Sequence, residues 1–154
     1  MKKEYFISLL LSLLFSNVVV AQNKFFDEFR PLADSLGTAY EIPAEVILAV
    51  AYHESGGGTS VISRRLNNYF GLKGRVPGGD TVSVKSSYKY FEKPADSYVY
   101  FCNPVARKKF YPTLKGNKDY KKWVVAISNT GYAANAKLWS KHIIGVIEKN
   151  HLKK

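Results

Sequence analysis

Apolar residues recur at helical spacing along most of the chain and alternate at strand spacing in one short stretch. Phe26, Phe29, Leu32 and Leu36 predict a first helix that ends at Gly37, with Pro31 marking a start near Arg30. The apolar run Ile47-Leu48-Ala49-Val50-Ala51 belongs to a second helix, opened by Pro43 and stopped by Gly56-Gly57-Gly58. Thr59 is the expected cap of a short third helix through Leu66, after which Asn67 to Gly74 breaks the helical period. Val82 and Val84 then alternate with Thr81, Ser83 and Lys85 behind the turn Pro77-Gly78-Gly79-Asp80, predicting a small β-hairpin between Leu72 and Phe91 as one wall of a cleft. Helical pattern resumes at Pro94 and runs through Tyr98, Phe101 and Val105 to the region of Phe110, with a break or kink at Pro104. A loop from Pro112 to Asn117 leads to a helix carrying Tyr120, Trp123, Val124 and Ile127, which Gly131 terminates. The last helix, Asn135 to Asn150, buries Leu138, Trp139, Ile143, Val146 and Ile147. The pattern is mainly α with one inserted hairpin, and it contains no internal repeat and no interdomain linker.

The N-terminus changes this picture. Lys2 and Lys3 precede an apolar stretch from Tyr5 to Val20, and Ala21 is a small residue at the expected cut. Residues 1–21 therefore read as a secretory signal peptide, too short for a comfortable membrane span, and residues 22–154 as one domain with enough apolar content for a core. An exported product is expected, periplasmic or at the cell wall, with no stable membrane insertion after cleavage. The chain carries 23 Lys and Arg against 12 Asp and Glu, a net charge of +11. On an exported protein that excess points to an anionic envelope polymer more readily than to nucleic acid. Cys102 is the single cysteine, so an internal disulfide is excluded, and its apolar neighbours mark it as a buried side chain.

Candidate chemistry centres on Glu54, in the last turn of the second helix. Unpaired carbonyls there carry partial negative charge, and Ile47, Val50 and Ala51 put Glu54 on an apolar side, so both surroundings disfavour its anion. A carboxyl that holds a proton near neutral pH suits cleavage of a glycosidic bond, whose leaving oxygen must be protonated. His53 points about 100° away from Glu54 on the helix, and a His-Glu-x-x-His zinc site would need histidine where Gly57 stands. No metal and no cofactor are expected. Ser55 lacks a Gly-x-Ser-x-Gly elbow and reads as a residue that shapes the helix end.

Four motifs in order make a family visible. Pro43-x-x-Val46-Ile47-Leu48-Ala49-x-Ala51-x-x-Glu54-Ser55-Gly56, then Asn68-x-Phe70-Gly71-Leu72-Lys73, then Tyr88-Lys89-Tyr90-Phe91 with Ser97 beyond, then Gly131-Tyr132-Ala133, resemble the bacterial glucosaminidases, which include flagellar rod-type peptidoglycan hydrolases and many autolysins. The resemblance spans almost all of residues 22–154. It implies a lysozyme-like helical domain with a small β-hairpin lobe flanking a substrate groove. It also implies cleavage of the β-1,4 bond between N-acetylglucosamine and N-acetylmuramic acid, with peptidoglycan strands as partner and a monomeric enzyme. Glu54 matches the family's proton donor and Tyr132 the tyrosine that lines the adjoining sugar subsite. Tyr69, Phe70 and Trp139 are further candidate sugar-binding aromatics.

Family members often carry a second carboxylate on the β-lobe, but the strand here reads Thr81-Val82-Ser83-Val84-Lys85-Ser86-Ser87. Asp80 is the acid of the hairpin and the candidate second catalytic group, although Gly-Gly-Asp is equally an ordinary turn. Positioned water or the substrate's own acetamido group are the alternatives, so inversion and retention both stay open. Two other functions compete: a lytic transglycosylase, disfavoured because Gly71-Leu72-Lys73-Gly74 stands where those enzymes carry Gly-Leu-Met-Gln, and a non-catalytic wall-binding scaffold, disfavoured by Glu54 itself.

Overall fold

The computed structural model describes residues 24–74 and 87–153. These form a mainly helical unit: α1 (residues 24–40), α2 (Ala44–Ser55), α3 (Val61–Leu66), α4 (Pro94–Val105), α5 (Tyr111–Leu114), α6 (Tyr120–Ile127) and α7 (Ala136–Lys149). One turn of wider, π-type helix, Ser128–Tyr132, continues α6. The expected signal peptide and most of the expected hairpin, including Asp80, lie outside the described residues. What is described on either side of residues 75–86 is an isolated antiparallel bridge between Lys73 and Tyr88, flanked by hydrogen bonds from Gly74 N to Ser87 O (3.0 Å) and from Lys89 N to Leu72 O (2.8 Å).

Helix α2 is the axis of the fold. Val46, Ile47, Leu48, Ala49, Val50 and Ala51 are all 0 % exposed, and a helix apolar on every side must be surrounded. It is enclosed by α7, α6 and α4, with Trp123, Ile127, Ile143 and Ile147 filling the space around it. On another side Phe25 and Phe26 of α1 meet Tyr52 at ring separations of 5.3 and 4.8 Å. Phe29 of the same helix stacks on Tyr98 of α4 at 5.3 Å.

Several boundaries differ from the periodicity. Helix α1 runs through Pro31 and past Gly37 to residue 40. Gly37 is an interior residue placed for close approach, because a Cβ there would stand 3.0 Å from Ile42 O and 3.1 Å from Ala44 Cβ. Tertiary packing, not helix termination, explains that glycine. Helix α3 is capped by Ser60, whose side chain accepts from Ser63 N, while Thr59 donates its hydroxyl to Gly56 O. Helix α4 ends at Val105, just past Pro104, and part of the expected loop closes instead into the short α5.

Candidate active site

Glu54 sits one residue from the end of α2, and the backbone after it is built to stop the helix abruptly. Gly56, Gly57 and Gly58 all adopt positive φ (60°, 66° and 77°), a conformation that costs a side-chain-bearing residue about 1–2 kcal/mol. Gly57 N donates to Tyr52 O (2.8 Å), and Gly58 N donates to the buried Ser55 Oγ (2.8 Å). Ser55 thus shapes the helix end, as its sequence context suggests. The turn leaves Glu54 partly exposed while its neighbours Ala51 and Ser55 are buried.

A second element fixes the carboxyl. Trp139 of α7 donates its indole Nε1–H to Glu54 Oε1 at 2.7 Å. The indole is 6 % exposed, so most of its face is already covered by protein. Trp139 therefore reaches the site as a hydrogen-bond donor to Glu54. The other carboxyl oxygen, Oε2, faces Gly71, where an added Cβ would lie 3.9 Å from it and 4.0 Å from Tyr88 Cε1. Gly71 has φ 60°, so this loop brings bare backbone to the carboxyl.

The loop is clamped by Asn68, which is 1 % exposed. Its Oδ1 accepts from Leu72 N (2.9 Å), and its Nδ2 donates to Leu72 O (2.8 Å) and to Lys89 O (2.9 Å). A single buried amide ties the Gly71 loop to the Tyr88 segment. Burial of such a group is tolerable only because its hydrogen bonds are made.

Tyr132 completes the cluster from the π-type turn. Its ring lies 5.3 Å from that of Trp139 and 5.8 Å from that of Phe101. Its hydroxyl donates to Phe70 O over a long 3.4 Å. Desolvation raises the Tyr132 hydroxyl well above its ordinary pKa and the nearby Glu54 raises it further, so the phenol remains protonated and able to donate. The turn itself is pinned to α7: Ser140 Oγ donates to Ser128 Oγ (2.9 Å), which donates to Val125 O (2.8 Å). Gly131, at φ 80°, gives the turn its exit.

Glu54, Tyr132 and Trp139 thus come together, drawn from α2, the π-type turn and α7. The other two candidate aromatics face elsewhere. Phe70 is 2 % exposed, stacked on Phe101 at 4.5 Å, and its backbone carbonyl rather than its ring meets the site. Tyr69 turns onto Phe29 and Tyr98, at 4.8 and 5.9 Å, as part of the aromatic packing around α1. Asn68, Gly71 and Tyr88 shape the site although composition and spacing gave them no role there. Their signals were a polar residue before an aromatic-glycine pair and a second aromatic motif downstream. His53 meets His142 of α7 at a ring separation of 5.5 Å, and no group of three metal-ligating side chains forms among the described residues.

The remaining feature is a hollow of about 230 Å³ that begins at Tyr132 and Leu72 and continues between α4 and the π-type turn.

Comparison with known proteins identifies the family and the fold. Residues 30–152 match the glucosaminidase family, described as mannosyl-glycoprotein endo-beta-N-acetylglucosaminidase. The exo-glucosaminidase LytG of Bacillus subtilis (strain 168) is 26 % identical over 149 residues, covering 85 % of this chain and 52 % of its own length, so the chain spans about half of that relative. The catalytic domain of the autolysin Auto from Listeria monocytogenes superposes with a TM-score of 0.71 at 19 % identity, covering 86 % of each chain. The glycoside hydrolase domain of FlgJ from Salmonella typhimurium gives 0.67 at 20 % identity, covering 85 % of this chain and 89 % of its own. With a family match over most of its length and the fold of these catalytic and glycoside hydrolase domains, the chain belongs to the glucosaminidase family of glycoside hydrolases.

Proposed function

We propose that the chain is an exported peptidoglycan hydrolase that cleaves the β-1,4 bond between N-acetylglucosamine and N-acetylmuramic acid, with Glu54 as general acid. The observation that carries this reading is the grip on Glu54: one oxygen takes the Trp139 indole N–H at 2.7 Å, and the other faces the bare Gly71 backbone. With Oε1 occupied as an acceptor, the proton to be delivered belongs on Oε2, the oxygen on the Gly71 side. As the bridging oxygen takes that proton, Glu54 becomes an anion, and the indole N–H becomes a charge-assisted donor to it. Such a bond is about twice as strong as a neutral one. The interaction is therefore stronger in the transition state than before it, which is the condition for catalysis.

Tyr132 is the proposed sugar-contacting residue. Its hydroxyl keeps its proton, and its present bond to Phe70 O is long enough to be exchanged for an acetamido oxygen of the substrate. Asp80, outside the described residues, remains the proposed second catalytic group, with positioned water or the substrate acetamido as the alternatives. Export by way of residues 1–21 and action at the wall or in the periplasm belong to the same proposal. Among the described residues no helix is long and apolar enough to cross a membrane.

Mass spectrometry of purified peptidoglycan digested by the protein tests the bond and the reaction together. Reducing N-acetylglucosamine ends are expected. Anhydro-muramic ends would assign a transglycosylase instead, and uncut strands would remove the enzymatic reading.

A further inference from the structure

The hollow beyond Tyr132 is unlike a sugar subsite in its chemistry. Phe101, Val105, Phe110 and Ile127 form much of its wall, and Tyr100, 41 % exposed, stands at its edge. A pyranose ring carries several hydroxyls, and each one moved from water into such a space without a partner costs roughly 1–3 kcal/mol. Few partners are offered. Thr130 already donates its hydroxyl to Ile127 O (2.8 Å). The charged residue on the hollow is Lys108, exposed and cationic. Like most of the described lysines and arginines, Lys108 has no ion-pair partner among the described residues, and it is the one that lines this hollow.

An apolar hollow with an unpaired cation fits a ligand that is methyl-rich and anionic. In a glycan of alternating N-acetylglucosamine and N-acetylmuramic acid, that description fits the lactyl-peptide substituent of the muramic acid, not the sugar rings. We infer that this hollow receives the peptide stem of the muramyl residue next to the scissile bond, with apolar walls taking its small alkyl groups and Lys108 pairing with a stem carboxylate. The inference rests on the peptidoglycan reading above and deepens it. Stem-bearing strands are then the preferred substrate, and the stem helps seat the bond at Glu54.

The test uses the full chain carrying Glu54→Gln, so that fragments bind without being cut. A wall-derived disaccharide with its peptide stem is titrated by calorimetry against the same disaccharide after an amidase has removed the stem. The stem-bearing fragment is expected to bind more tightly. Adding Lys108→Ala is expected to shrink that preference roughly two- to fivefold, the range of an exposed ion pair, and Lys108→Arg to restore most of it. Lys108 is exposed, so neither change threatens the fold. Equal binding of both fragments, or a preference unmoved by Lys108→Ala, overturns the stem pocket while leaving the hydrolase reading intact. Binding of neither fragment overturns both.

Discussion

Replacing Trp139 with phenylalanine removes the indole N–H that holds Glu54 and keeps an aromatic ring in its place. The lost bond is 2.7 Å long and directed at the carboxyl that, in the proposed mechanism, becomes charged as it gives up its proton. Hydrogen bonds to charged groups contribute roughly 1.5–3 kcal/mol, and about 1.4 kcal/mol is tenfold in rate. The expected result is a fall in kcat of about ten- to a hundredfold, with little change in KM. Because Trp139 is 6 % exposed, trimming it also leaves a small internal void, at a cost of about 1–2 kcal/mol in stability. Thermal unfolding followed by circular dichroism separates that cost from the kinetic effect, provided rates are measured well below the transition. If Trp139 were instead a stacking platform for sugar, the smaller phenylalanine ring would only weaken that contact, raising KM and sparing kcat. A variant with wild-type kcat and a raised KM refutes the positioning role.

Gly71→Ala places a methyl group 3.9 Å from Glu54 Oε2 on backbone at φ 60°, so a stability loss of about 1–2 kcal/mol is expected together with a larger fall in turnover. Parallel Tm and activity measurements check this, and a fall in stability with unchanged turnover would free Gly71 of any role at the carboxyl. Burial pushes the Cys102 thiol up from 9.0 to about 12 and raises the Tyr98 hydroxyl strongly as well. Each group holds its proton more tightly folded than unfolded, so its contribution to stability is complete below the unfolded value. For Cys102 that contribution declines as pH rises from about 9 towards about 12. Urea midpoints at stepped alkaline pH should fall across that window, and Cys102 should resist alkylation until the protein unfolds.

Much of the fold was readable because the helices announce themselves twice, by apolar period and by caps. Pro94 at the start of α4 and Asn135 before α7 stand where the sequence places them, and the Asn135 side chain accepts from Leu138 N in the first turn. Gly37 misled because a glycine after an apolar period reads as a stop, whereas here it admits the backbone of the chain entering α2. At the site, Glu54 and Tyr132 were legible because glycines beside them mark sharp changes of direction. Spacing along α7 locates the Trp139 side chain without naming its hydrogen-bond partner on α2. Phe70 shows the same limit from the other side. An aromatic in a motif can serve the core with its ring and the site with its carbonyl, and period alone does not separate the two. Asn68 stands within a sequence motif, but its clamp joins positions that only the folded chain brings together.

Glu54→Gln removes the proton that Glu54 is proposed to supply. The amide keeps the size of the side chain and removes the transferable proton, so binding to purified peptidoglycan should persist while release of reducing N-acetylglucosamine ends, counted by mass spectrometry, falls by about 10²- to 10⁴-fold. Near-normal release of those ends by the glutamine variant would contradict the account.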